Sequence, residues 1–351
     1  MKILTVVGAR PQFVKAACLS RELAKRGIKE ILVHTGQHFD KNMSQIFFEQ
    51  MKIRKPDYFL GINGLSHGAM TGQMLEKVEE IIVKEKPDFT LVYGDTNSTF
   101  AGALAAKKLH NKLVHVEAGL RSFNMSMPEE INRILTDRIS DILFCPTPIA
   151  IRNLEAEGFE NFGCQIHMSG DIMEDAAKYY APISNQPFEI NTPFVLATIH
   201  REENTRNKDR LQSIFLALSE ISKNINVIIP VHPGTKAHME KYGINTKGLL
   251  MIDPLGYLEM LWLIQNSSVI LTDSGGLQKE AYFFNKYCIT LREETEWLEL
   301  VDNGYNGLSG TSTEKIVELF FTFSNKEFIK KGHLYGGGNA AKNIVDILSA
   351  Q

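Results

Sequence analysis

Short apolar, β-branched runs alternate with amphipathic stretches along almost the whole chain. Ile3–Val7, Glu30–His34, Phe89–Tyr93, Leu113–Val116, Ile142–Phe144 and Gln165–Met168 read as strands in the first half. Such brief apolar runs bounded by polar turns fit strands buried on both faces. Between them lie helical patterns at Phe13–Arg26, Gly68–Lys86 and Ser98–His110. In the second of these, Met70, Met74, Val78, Ile81 and Ile82 recur at helical spacing, so its methionines read as core packing. Phe194–Ile199, Ile225–Val231, Leu249–Ile252, Val269–Thr272 and Tyr287–Leu291 then resume the alternation. Strand–helix alternation on this scale predicts an α/β fold with two parallel sheets, each flanked by helices. The pattern breaks over Ala181–Pro193, where Pro182, Pro187 and Pro193 mark a linker. The expected division is an N-terminal domain over 1–170, a connecting helix and linker over 171–193, and a C-terminal domain over 194–338.

Ligands of parallel α/β sheets sit at the carboxyl ends of the strands, and with two domains the expected place is the cleft between them. Polar residues cluster just past those ends: Gly8-Ala-Arg-Pro11, Gly36-Gln-His38, Gly94-Asp-Thr96, Glu117-Ala-Gly119, His200-Arg-Glu-Glu203, His232-Pro-Gly234 and Asp273-Ser-Gly-Gly276. The last follows the strand Val269–Thr272 and opens a helix. Free backbone N–H groups and the positive helix end at Ser274, Gly275 and Gly276 suit a phosphate, and glycine lets an anion approach closely. Glu280, about one turn inside, can accept from ribose hydroxyls. The plain alternatives stand beside this. The turn could be a tight connection without a ligand, and Arg10, Asp95, Glu117 and His200 could be loop and cap residues, Asp95 capping the next helix.

Bulk properties narrow the class. The 351 residues suggest two domains, and 44% hydrophobic with 23% charged residues are those of a soluble globular chain. A net charge of −3 without a basic stripe argues against nucleic acid as a partner. Four scattered cysteines without a CxxC pair read as reduced and structural, which points to the cytoplasm. The first apolar run ends at Val7, so it reads as a strand and not a signal peptide, and no window is long enough to span a membrane. Gly8-Ala-Arg-Pro lacks the second and third glycines of a dinucleotide fingerprint, and no Walker sequence occurs. His34 and His38 flank Gly36 with no acidic partner, so no metal site is expected.

Taken together, Gly8-Ala-Arg-Pro with Lys15, Tyr93-Gly-Asp-Thr96, His115-Val-Glu-Ala-Gly-Leu-Arg121, Pro128-Glu-Glu-Ile-Asn-Arg133, His200-Arg-Glu-Glu-Asn204 and Asp273-Ser-Gly-Gly276 resemble the non-hydrolysing UDP-N-acetylglucosamine 2-epimerases. The match runs in order from the first strand to about Gly310. The resemblance implies a glycosyltransferase-B-like fold of two Rossmann-like domains with the active site between them. It also implies a homodimer, no metal or nicotinamide cofactor, and a C-terminal helix (about 339–351) packed back on the first domain. Epimerisation at C2 would proceed by elimination of UDP across C1–C2 and re-addition to a glycal. That route needs at least two proton-transfer groups and stabilisation of the departing diphosphate. By position, the implicated carboxylates fall on Asp95, Glu117 and Glu129, the cations on Lys15, Arg10 and Arg133, and the essential histidine on His200. Ser274, Gly275, Gly276 and Glu280 fall on the UDP site.

Three departures point to a subgroup. The loop Ser122–Met127 is two residues shorter than is usual in the family, Thr295-Glu-Trp-Leu-Glu299 replaces Thr-Glu-Arg-Pro-Glu, and Gln37–Met43 lacks the regulatory motif of enzymes that bind a second UDP-N-acetylglucosamine. Together with Leu334-Tyr-Gly-Gly-Gly338, these resemble the enzymes acting on UDP-2,3-diacetamido-2,3-dideoxy-D-glucuronate for surface polysaccharide such as lipopolysaccharide O-antigen. They speak against activation by substrate. The rival readings are an epimerase of UDP-N-acetylglucosamine itself, a glycosyltransferase of the same fold, and a non-catalytic binder of UDP-sugars.

Overall fold

The computed structural model describes residues 1–37 and 53–351, so the part of the 37–43 stretch beyond Gln37 lies outside the described residues. Two compact units emerge, one of Met1–Ala176 with His333–Gln351 and one of Ala177–Gly332. The division falls inside the helix Ile172–Tyr180 and not in the proline-rich stretch. That stretch belongs to the second unit, where Gln265 Nε2 donates to the Ser184 hydroxyl (3.0 Å).

Among the described residues, the first unit holds a seven-stranded sheet in the order β3-β2-β1-β4-β5-β6-β7. Its strands are β1 Lys2–Val7, β2 Lys29–His34, β3 Tyr58–Phe59, β4 Phe89–Tyr93, β5 Lys112–Val116, β6 Ile142–Cys145 and β7 Gln165–Met168. Every pairing is parallel. Parallel strands are covered on both faces, which is why Ile3, Leu4, Val6, Leu91, Val92 and Leu113 are fully buried without polar alternation. The helix Asn97–Lys108 lies close on this sheet because its inner face is Ala101, Gly102, Ala103, Ala105 and Ala106. The C-terminal helix Ala340–Ser349 belongs to this unit. The Asp175 carboxylate accepts its first amides, from Ala340 (3.0 Å) and Ala341 (2.9 Å), and Arg26 pairs with Asp346. Burial pushes the Asp175 carboxyl up to about 6. The glycine run before this helix has a steric cause. Gly336 has φ 91°, and a Cβ there would lie 2.9 Å from the Gly170 Cα.

The second unit repeats the plan with a six-stranded parallel sheet ordered β10-β9-β8-β11-β12-β13. Here β8 is Phe194–Thr198, β9 Asn226–Pro230, β10 Leu250–Ile252, β11 Val269–Thr272, β12 Tyr287–Thr290 and β13 Asn306–Leu308. In each sheet the strand order reverses once, between β1 and β4 and between β8 and β11. Such switch points open a crevice at the carboxyl edge, where ligands of these folds bind. Among the described residues, no helix is long and apolar enough to cross a membrane.

Candidate active site

At the β1/β4 switch of the first unit, Gln12 ties two strand ends together. Its Oε1 accepts from the amides of Gly8 (2.8 Å) and Ala9 (3.0 Å), and its Nε2 donates to the Tyr93 carbonyl (2.7 Å). The helix Arg10–Lys25 therefore starts at a fixed position, with Pro11 in its first turn. Arg10 begins that helix; its side chain lies outside the described residues. One turn on, buried Lys15 forms an ion pair with Glu117, which follows β5. Glu117 has φ 71°, a left-handed conformation that costs a residue with a Cβ about 1–2 kcal/mol.

Asp95 follows β4. The helix after it is capped by Thr96, whose hydroxyl accepts from the Thr99 amide (3.2 Å), so the capping role open to Asp95 in the sequence falls to its neighbour. Asp95 instead pairs with Arg133, and its backbone carbonyl accepts from Asn132 Nδ2 (3.0 Å). Burial pushes the Asp95 carboxyl up and Glu117 adds to the push, against the pull of Arg133 and Lys15. The structure thus brings Asp95, Glu117, Lys15 and Arg133 to one sheet edge as two acid–base pairs.

Glu129 is different. It lies in the first turn of the helix Pro128–Ile139, is exposed, and its side chain makes no hydrogen bond or ion pair with the described residues. Its neighbour Glu130 is the fully buried carboxylate of that turn and bonds Arg133 Nη1 at 2.9 Å. Sequence reasoning passed over Glu130. Its signal was the spacing of three to Arg133, which places both on one helix face.

Behind these strand ends lies a fully buried network. His115 reaches Asp137 through Nδ1 (2.6 Å) and the Gly94 carbonyl through Nε2 (2.7 Å). Asp137 also accepts from the Gly119 amide (3.1 Å) and Arg121 Nη1 (2.6 Å). Burial alone would raise the Asp137 carboxyl; His115 and Arg121 outweigh it and hold it below the usual carboxylate range. The network fixes Gly94 before Asp95 and Gly119 after Glu117.

In the second unit, Asp273 ends β11 and is fully buried. It accepts from the amides of His200 (3.1 Å) and Arg201 (3.0 Å) and from Asn204 Nδ2 (3.1 Å), and it meets His200 Nδ1 at 3.1 Å. Burial opposes its charge, but these bonds, His200 first, hold its carboxyl below the ordinary value. The His200 ring, half exposed, is thereby held at the carboxyl end of β8. Ser274 stands at the N-cap position of the helix Gly275–Phe283 without a side-chain capping bond, and Glu280 within that helix is half-buried. The two glycines differ. A Cβ on Gly275 would lie 2.1 Å from Glu296 Oε1, and Glu296 is held by Arg292 Nη1 at 2.9 Å. Gly276 is exposed and faces open space. Trp297 is buried under the Lys279 ammonium, 4.1 Å from its ring centre, a cation–π contact inside the wall of this turn. Among the described residues, no group of three or more His, Cys, Asp or Glu is placed to hold a metal.

A model of the UDP-N-acetylglucosamine 2-epimerase family matches residues 21–349. The chain belongs to that family. It is 55% identical, over 99% of both chains, to the UDP-2,3-diacetamido-2,3-dideoxy-D-glucuronate 2-epimerase of Pseudomonas aeruginosa. It is 40% identical, over 99% of both, to the UDP-N-acetylglucosamine 2-epimerase of Methanocaldococcus jannaschii. The crystal structure of that M. jannaschii enzyme in complex with UDP-GlcNAc and UDP superposes with a TM-score of 0.87 at 40% identity, covering 100% of each chain. Acinetobacter baumannii MurG, at 12% identity and a TM-score of 0.59, shares the fold alone. This epimerase therefore has two Rossmann-like, glycosyltransferase-B-like units.

Proposed function

We propose that this epimerase inverts C2 of UDP-2,3-diacetamido-2,3-dideoxy-D-glucuronate to give the manno epimer, by eliminating UDP and re-adding it to the glycal. The observation that carries the substrate is the 55% full-length identity to a relative of that name, against 40% to a UDP-N-acetylglucosamine 2-epimerase. The short Ser122–Met127 loop and Trp297 support the same reading, since a shorter loop leaves room for a bulkier C3 substituent. Chemistry falls to Asp95, Glu117, Glu129, His200 and Lys15. The acid–base pairs Asp95–Arg133 and Glu117–Lys15 supply two carboxylates with adjacent cations, as proton removal and return at one carbon require. Arg10, Arg133, Ser274, Gly275, Gly276 and Glu280 hold UDP, the helix N-terminus taking the diphosphate as leaving group. The enzyme works without a cofactor, as a cytoplasmic homodimer serving surface polysaccharide such as lipopolysaccharide O-antigen.

A second reading, epimerisation of UDP-N-acetylglucosamine, is favoured by a 50% identical relative from Methanococcus maripaludis named a UDP-N-acetylglucosamine 2-epimerase homolog. Following both compounds by NMR separates the two. The proposal expects turnover of the diacetamido uronate; turnover of UDP-N-acetylglucosamine with none of the uronate overturns it.

A further inference from the structure

Glu130 is engaged in a way that neither its helix nor ordinary ion pairing requires. It occupies the third position of the helix Pro128–Ile139. A glutamate there commonly reaches back to the amide of the capping residue. Here the capping residue, Met127, donates its amide to the Asn124 carbonyl (3.0 Å) instead. Glu130 reaches past it, accepting from the amides of Ser122 (3.0 and 3.1 Å) and Phe123 (2.8 Å). Phe123 has φ 58°, so the captured amide belongs to a strained residue in an exposed loop. The remaining contact of Glu130 is to Arg133 Nη1, while Arg133 Nη2 meets Asp95. One guanidinium thus bridges a fully buried carboxylate and a candidate catalytic one, and its buried Nε makes no hydrogen bond among the described residues. A free arginine side chain samples many rotamers, and the buried carboxylate removes that freedom.

We propose that Glu130 is a positioning residue: it clamps the Arg133 guanidinium at the angle that meets Asp95, and locks that pair to the Ser122–Met127 loop. The proposal rests on the epimerase reading for its catalytic consequence, though not for its electrostatic one. With Glu130 in place, Arg133 shares its charge between two acids. Asp95 then feels only part of that cation, together with Glu117 and Lys15, the other charged groups that face it. An uncharged residue at 130 would leave the whole charge to Asp95 and lower its proton affinity. Replacing Arg133 by lysine, which cannot bridge both acids, would leave the ammonium on buried Glu130 and raise the proton affinity of Asp95.

The test titrates Asp95 directly, by carbon NMR of its carboxyl, assigned by difference from Asp95→Asn. Glu130→Gln should move its midpoint down by about one unit and Arg133→Lys should move it up. Turnover of UDP-sugar in Glu130→Gln should fall ~10²-fold through misalignment of Arg133. Should Glu130→Gln fail to fold, the Arg133→Lys titration decides. An unmoved or lowered Asp95 midpoint in Arg133→Lys overturns the proposal, as does an unmoved one in folded Glu130→Gln. Midpoints that move as stated in an enzyme turning over neither UDP-sugar would keep the clamp and discard the epimerase reading instead.

Discussion

Lys15 and Glu117, 102 residues apart in sequence, form a buried ion pair at the carboxyl edge of the first sheet. The pair exists because β1 and β5 are parallel neighbours of β4, so the helix after one and the turn after the other end at the same edge. Glu117 holds this place in a left-handed conformation. Backbone strain of this kind persists only where the surroundings over-determine it, and it concentrates at functional sites.

Charge removal without change of shape should separate chemistry from binding here. Asp95→Asn, Glu117→Gln and Glu129→Gln are each expected to lower turnover by roughly 10²–10⁴-fold, while UDP affinity in calorimetry stays unchanged. Glu129 is the most exposed of this test's targets, because its side chain meets no described partner. Near-normal turnover in Glu129→Gln would remove it from the catalytic set and leave Asp95 and Glu117 as the proton-transfer pair.

The two glycines of the anion turn should respond differently. Gly276→Ala adds a methyl group to open space, so the melting temperature should not move, while UDP affinity falls about tenfold, or 1.4 kcal/mol, as the methyl blocks phosphate approach. Gly275→Ala pushes Glu296 off its contact with Arg292, so both stability and affinity should fall. Glu280→Ala should weaken UDP binding by about 1–3 kcal/mol without loss of fold. Calorimetry beside thermal melts reads all three, and unchanged UDP affinity in Gly276→Ala and Glu280→Ala would move the nucleotide elsewhere.

Most strands were legible because parallel, doubly covered strands are largely apolar. The two that escaped lacked that mark. Tyr58–Phe59 is a two-residue strand at the sheet edge. Asn306-Gly-Leu308 carries asparagine and glycine, both depleted in strands, yet it is a strand whose Asn306 is buried and bonded to Gln278 and Thr290. Site residues were legible as strand-end clusters, but their partners were not. Pairing of Asp95 with Arg133, or of Gln12 with Tyr93, depends on which strands are neighbours, and sequence order does not show this. That Glu130, and not its neighbour Glu129, is the buried carboxylate has a simpler cause. Adjacent helical residues point about 100° apart, so one residue of register decides which carboxylate is inside.

Acid stability should carry the signature of His34. Its ring packs on Phe13 (4.5 Å) and Phe59 (5.0 Å), and its Nδ1 accepts the Gly36 amide at 2.9 Å. Burial lowers its pKa from 6.5 to about 4. The unfolded chain therefore takes up this proton first, and stability is lost as pH falls from 6.5 towards 4, by up to about 3 kcal/mol at 1.4 kcal/mol per unit. Denaturant titrations across that window should show a steeper decline for the natural chain than for His34→Gln. Equal slopes would contradict a buried, neutral His34.

The central claim, inversion at C2 through loss and return of UDP, is tested most directly by incubating the protein with UDP-2,3-diacetamido-2,3-dideoxy-D-glucuronate in D2O. Proton NMR should show the C2 proton signal disappearing and deuterium appearing at C2 of the intact manno-configured nucleotide sugar. A nucleotide sugar that keeps its C2 proton, or release of free sugar and UDP in place of the epimer, would contradict the account.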